Sequence, residues 1–232
     1  MNKTRQVLHD ALRDGALLRF GGMKMGIVRE VGPWLEKVAE RAAGPDSSPR
    51  EQAYWLWIVG EYVNRGGERE LLARYSELIE AAVASIADNW NAADAHWLWD
   101  EEPDVYLSNL ALYYAALRSI GNVYRSDAAQ KLCKDIREAT FASFMHGKHF
   151  VSRQGSDEVW ADIVAAAVPF GLLSAGDLAM LEALGRLDPD RVGGAEEAGL
   201  LAGYYGEVGA IGRARTLRDR AAALSEGEAN AF

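Results

Sequence analysis

Apolar and polar positions alternate with the period of an α-helix along most of the chain. The clearest stretch is Leu71, Leu72, Tyr75, Leu78, Ile79, Ala82, Val83, Ile86 and Trp90, spaced three and four apart, with Arg74, Glu77, Glu80 and Asp88 on other faces. This spacing lines one side of a 3.6-residue helix and predicts a single amphipathic helix with one buried stripe. Ile211, Ala214, Leu217, Ala221 and Leu224 repeat the pattern, with Arg213, Arg215, Arg218 and Arg220 turned to water. Other segments are apolar nearly all round: Ala53 to Val59, Leu110 to Leu117, Ile163 to Val168 and Gly199 to Tyr205. A helix without a polar face must be covered on several sides, so enclosed helices are expected to alternate with half-exposed ones.

Punctuation between the periodic stretches supports helical hairpins. Gly66, Gly121 and Gly209 each fall where an enclosed helix is expected to end and a half-exposed one to follow, and Ser126 suits the N-cap of the helix from Asp127 to His146. The segment from Leu200 to Ala223 would pass for one unit of a tetratricopeptide array. Such an array repeats about every 34 residues, whereas these glycines stand 55 and 88 apart. The layout left is about ten helices, with an inner ring of apolar ones inside an outer ring of amphipathic ones. The fold class expected is therefore all-α, helical hairpins in a partial α/α toroid. Glycine- and proline-rich breakers occur at residues 21–33, 44–50 and 188–195, and a short extended piece is expected within 147–157 around Phe150 and Val151. None is long enough for a linker, so residues 1–232 are read as one domain.

Composition narrows the partners. A chain of 232 residues should bury roughly 70–75% of its unfolded surface and needs no staple. Its 25 Lys and Arg against 34 Asp and Glu leave a net charge of −9, the wrong sign for nucleic acid or an anionic membrane surface. No run is long and apolar enough to span a bilayer, and Met1 to Asp10 lacks the apolar core of a signal peptide, so the cytoplasm is the default location. The lone Cys133, beside Leu132 and close to Ile136, is expected to be a small buried hydrophobe. His9, His96, His146 and His149 give no metal spacing, so no metal or cofactor is expected. His146, near Gly147, is expected at the C-terminal end of a helix dipole, and Asp157-Glu158 to cap the helix that follows. An incomplete ring would leave inner helices uncovered, which points to a homodimer or to N-terminal helices from residues 1–45 folded across the gap.

The most unusual stretch runs from Asn91 to Tyr106, where Trp97 and Trp99 stand beside Asp100, Glu101 and Glu102. Adjacent carboxylates repel unless their pKa values separate, and aromatic walls that desolvate one of them can make it a general acid. Sugar hydrolysis uses a carboxylic acid and a second carboxylate, and indole faces can stack on the apolar faces of pyranose rings. The plainer account is a solvated helix N-terminus, with acidic residues favouring the dipole and Pro103 at the first helical position.

A resemblance adds to this. Trp97-Leu98-Trp99-Asp100-Glu101-Glu102, then Ser108-Asn109-Leu110-Ala111 and Ala115-Ala116-Leu117, resembles the Trp-Glu-Glu loop and following helix of glucoamylase-type glycoside hydrolases, family 15. Leu56 to Tyr62 with Asn64 to Leu72, Ile136 to Val151, Ala161-Asp162 to Leu173, and Asp188 to Gly194 with Leu200 to Ala223 resemble further segments of that family in the same order. The resemblance covers roughly residues 53–224. It implies an α/α toroid and a general acid at the first Glu after Trp. Counted from Trp99 that position is Asp100; counted on the Glu pair it is Glu101, preferred because Glu reaches further. Trp97, Trp99, Glu102 and Asp162 would then contact substrate. The family's general base lies in a segment later than Phe232, and its Arg-Asp pair has only Arg29-Glu30 and Arg50-Glu51 as loose counterparts, so the resemblance is to a shortened or degenerate member. The function expected is a glycoside-hydrolase-like protein that binds, and with a complete site hydrolyses, a glucosidic sugar or oligosaccharide. The alternative is a non-catalytic helical scaffold or regulatory protein working through protein partners.

Overall fold

The computed structural model describes residues 35, 39, 42, 44, 47–94, 102–187 and 194–229. Within them the chain is all-α, built from helical hairpins, with one two-stranded sheet. The helices are α1 (Pro49–Asn64), α2 (Glu70–Arg74), α3 (Ser76–Asn89), α4 (Leu107–Tyr124), α5 (Asp127–Phe144), α6 (Leu178–Leu184), α7 (Ala195–Glu207) and α8 (Ile211–Ala229). Strands β1 (Met145–His146) and β2 (His149–Phe150) and a 3-10 helix (Ala161–Ala166) lie between α5 and α6. The residues gather into two compact units. One holds Met1–Pro103 and Leu112–Glu138, the other Asp104–Ala111 and Ala139–Phe232.

In the first unit α1 is the enclosed element. Ser48 starts it with a capping box: its Oγ accepts from the Glu51 amide at 3.2 Å, and its own amide donates to Glu51 Oε2 at 3.0 Å. Every residue from Ala53 to Gly60 is buried, as the apolar run predicts. The helix stops at Arg65, where Gly66 takes the left-handed φ of 92°. α1 packs against α3, whose buried positions are Ile79, Ala82, Val83 and Ile86. The single helix expected from Leu71 to Trp90 is in fact two, broken at Tyr75. At the break the Tyr75 ring stands edge-on to Trp55, with centroids 5.8 Å apart. Gly121 also departs from expectation, because α4 runs through it to Tyr124. The left-handed residue there is Arg125, and Ser126 Oγ then accepts from the Ala129 amide at 3.2 Å, the N-cap expected for α5.

In the second unit α7 packs on α8 and on the 3-10 helix, and α6 packs on β2. The Ala195–Glu207 and Ile211–Ala229 hairpin turns at Gly209, whose φ is 79°. Along α8 Ala214 and Leu217 are buried but Ile211 is exposed, and Arg213 lies over the Tyr205 ring at 4.5 Å rather than pointing to water alone. The segment expected as an enclosed helix, Ile163 to Val168, is buried throughout but coils as a 3-10 turn over Ala161–Ala166. The extended piece expected within 147–157 is found in part. Met145 pairs with Phe150 and His146 with His149, and Tyr106 bridges to Arg153. Two smaller expectations fail here. α4 begins at Leu107, so Pro103 is not its first residue, and the 3-10 helix takes Trp160 as N-cap without help from Asp157 or Glu158.

Candidate functional site

The acidic loop leaves α3 through the Trp90 amide, bonded to Ile86 O at 2.8 Å, and the Ala92 amide, bonded to Asn89 O at 2.9 Å. Asp94 follows, half-buried, and its Oδ2 accepts a hydrogen bond from the Tyr113 hydroxyl at 3.2 Å. Tyr113 is buried in α4. Burial pushes its pKa far above the usual phenol value, and the Asp94 charge and hydrogen bond push the same way, against a smaller pull from Arg50. The phenol is therefore a fixed, protonated donor to a carboxylate. Trp97, Trp99, Asp100 and Glu101, the core of the expected site, lie outside the described residues.

On the downstream side Glu102 and Pro103 are exposed. Asp104 turns its Oδ1 onto the Val105 amide at 2.7 Å. The next residues run antiparallel to 152–154: Gln154 N–H donates to Val105 O and Leu107 N–H to Ser152 O, each at 3.0 Å. Arg153 adds a charge to this pairing. Its Nε lies 3.5 Å from Asp104 Oδ2 and its Nη2 3.0 Å from Glu158 Oε2. The guanidinium also sits 6.0 Å from the Trp160 ring centre, and that ring tilts against the buried Tyr106 at 5.9 Å. The Trp160 amide closes the cluster onto Ser152 Oγ at 2.8 Å.

Asp162, expected to contact substrate, is fully buried in the first turn of the 3-10 helix. Burying a carboxylate is costly without partners, and Asp162 has electrostatic or hydrogen-bonding company there. His146 does not cap α5, which ends at Phe144. Its Nδ1 instead lies 2.8 Å from Asp157 Oδ1, and that hydrogen bond, with the His146 charge, holds the Asp157 carboxyl below its usual range. Burial lowers the pKa of His149, assisted by Arg186 and His146 and opposed by Asp157 and Glu182. Cys133 is only half-buried; its thiol donates to Tyr114 O at 3.7 Å, and burial raises its pKa to about 11. Among the described residues no group of three or more His, Cys, Asp or Glu is placed to hold a metal ion, and no helix is long and apolar enough to cross a membrane.

Two polar pairings were missed from the sequence. Tyr113 sits in an apolar run and looks like plain core, and Arg153 sits in a polar loop and looks solvated. The available signal was the acid at each end of the loop, Asp94 and Asp104, each of which needs a partner once half-buried.

No family model matches the chain, and no curated protein matches it in sequence. Solved structures do match. A wild-type glycosidase superposes with a TM-score of 0.68 at 20% identity, covering 92% of this chain and 72% of the other. A substituted glycosidase gives the same figures. A glycosidase variant in complex with glucose gives a TM-score of 0.63 at 20% identity over the same shares. At this identity the likeness is one of fold, and it agrees with the all-α, toroid-type class expected from the helical pattern.

Proposed function

We propose that this protein binds a glucosidic sugar or oligosaccharide at the loop from Asn91 to Tyr106 and, where the site is complete, hydrolyses it. The observation that carries the reading is the shared fold with glycosidases across 92% of the chain, one of them in complex with glucose. The loop chemistry agrees: two indoles for stacking beside three carboxylates able to accept hydroxyl hydrogen bonds. In this reading Glu101 is the general acid, with Asp100 as the alternative one position earlier. Trp97, Trp99 and Glu102 form the rest of the sugar site, whereas Asp162, fully buried in its 3-10 helix, offers no surface to a ligand. The order of the motifs favours a glucoamylase-type, family 15 relative. Each flank of the loop ends on a carboxylate with a defined partner, Asp94 on Tyr113 and Asp104 on Arg153, as suits a loop that presents charged groups to a ligand.

The test is calorimetric titration with a panel of gluco-oligosaccharides beside a reducing-sugar assay. Glu101→Gln is expected to reduce turnover by about 100-fold or more while keeping affinity, since shape and an acceptor oxygen survive. Asp100→Asn should do so instead if the acid lies one residue earlier. Trp99→Ala is expected to weaken binding in either case. A folded protein silent towards the whole panel would leave the scaffold reading as the better account.

A further inference from the structure

We propose that the β1–β2 hairpin and α6 form an acid-sensitive latch, closed while the His149 ring is neutral and opened when that ring takes a proton. The latch is independent of the sugar reading. His149 belongs to β2, which pairs with His146 of β1 across the turn and packs on α6. Glu182 in α6 and Arg186 just beyond it both act on His149 by charge, which places the ring at that seam. The ring is only 6% exposed, and its Nε2 is sealed from water with no hydrogen-bond partner among the described residues. A neutral imidazole tolerates such a site at modest cost. An imidazolium would bury a charge and an N–H donor with nothing to receive them. The groups around it offer little relief. Asp157 is already taken by His146 Nδ1 at 2.8 Å, Glu182 is countered by Arg186, and His146 itself repels a second cation. From α5 the hairpin meets the Phe141 ring, edge-on to the buried Phe150 at 5.4 Å, and Lys148 in the turn points another cation's charge to water. Burial, Arg186 and His146 accordingly hold the His149 pKa below its usual value.

The sign follows from proton uptake. An opened hairpin frees His149 to titrate at the ordinary value of about 6.5, whereas the closed one stays neutral to lower pH, so the closed form is fully favoured above that value and loses ground as the pH falls below it. Asp157 is held below its own usual range and adds nothing until far stronger acid. The experiment is hydrogen exchange on the full chain at about pH 7 and about pH 5.5, compared as protection factors. The amides of Val151, bonded to Phe144 O, and of Leu181 and Gly185 in and after α6 report on the latch, and that of Ile79 in the first unit is the reference. Protection at the three latch amides should fall about 5- to 10-fold on acidification, the ratio that a free His near 6.5 gives over this span, with Ile79 unchanged. His149→Gln should abolish the fall, and His146→Gln should keep it. The wild-type ring signals in nuclear magnetic resonance give a reading that needs no variant to fold: His149 should stay neutral in the closed form down to about pH 5.5. An ordinary His149 titration with protection intact overturns the latch. So does a fall that persists in His149→Gln, one that disappears in His146→Gln, or one shared equally by Ile79.

Discussion

Helices α1 and α7 look alike on paper and differ in space. Both contain a long stretch without a charged residue, Ala53 to Gly60 in α1 and Ala198 to Gly206 in α7. In α1 every one of those positions is buried. In α7 Ala198, Leu201, Ala202, Tyr204 and Tyr205 are buried, whereas Gly199 is exposed and Leu200, Gly203 and Gly206 are half-buried. The difference lies in what fills the faces. α1 carries Tyr54, Trp55, Trp57 and Ile58 on all sides, and each needs cover. α7 has an ordinary buried stripe, and its other face lacks charge because it is largely glycine. An absence of polar residues demands enclosure only where bulky apolar ones stand in their place. The glycines follow the same division: a Cβ at Gly60 would run into Ser119 of α4, and one at Gly199 would meet open space.

The sharpest way to break this comparison is to put a methyl group on Gly60. A Cβ there would lie 2.5 Å from Ser119 Oγ, 2.6 Å from the Ser119 carbonyl carbon and 2.7 Å from its Cβ. Backbone cannot step aside as a side-chain tip can, so Gly60→Ala should cost about 3 kcal/mol in denaturant unfolding. Trimming Ser119 to alanine should not restore it, because the carbonyl carbon stays in place. Rescue by Ser119→Ala would mean that the hydroxyl alone limits the approach. A smaller effect separates the helix starts. α1 has the Ser48–Glu51 box, whereas α7 starts at Gly194 with no side-chain cap. Ser48→Ala should cost about 1 kcal/mol by the same measurement. No loss would show that the cap adds nothing to a helix already enclosed on all sides.

Legibility followed the same line between local and non-local causes. The span of α1, the α7–α8 hairpin, the Ser126 cap and the turns at Gly66 and Gly209 follow from period and turn chemistry within a few residues, and all are found. The break at Tyr75 was hidden because the apolar stripe runs across it without a gap, and the contact of the Tyr75 ring there is with Trp55 of another helix. The 3-10 coil at Ala161–Ala166 was hidden because a short buried apolar run has no polar face to reveal its period. Within the candidate site, residue types in the loop singled out the stretch from Asn91 to Tyr106, but the pairs that hold its flanks, Tyr113 with Asp94 and Arg153 with Asp104, join residues from separate segments. Of the side chains expected to touch substrate, Glu102 is exposed and Asp162 is sealed, a contrast that residue type alone could not give.

The smallest effect carries the opposite sign and tests the exposed half of the comparison. Gly199 lies inside α7 with helical neighbours on both sides, and a Cβ added there meets nothing within 4 Å. Glycine in a helix interior has more backbone freedom to lose on folding than alanine, and nothing at this position repays it. Gly199→Ala should therefore stabilise the protein by about 0.5–1 kcal/mol, seen as a higher denaturant midpoint with an unchanged slope. Gly203→Ala, equally open, should behave alike. Gly209→Ala is the control from the adjoining turn: its surroundings are just as open, but its φ of 79° is strained for any residue with a Cβ, so it should destabilise. A loss of stability at Gly199 would show that this face of α7 is covered in solution, by a second copy of the chain or another partner, and size-exclusion chromatography with light scattering on the wild type would tell whether that cover is a homodimer.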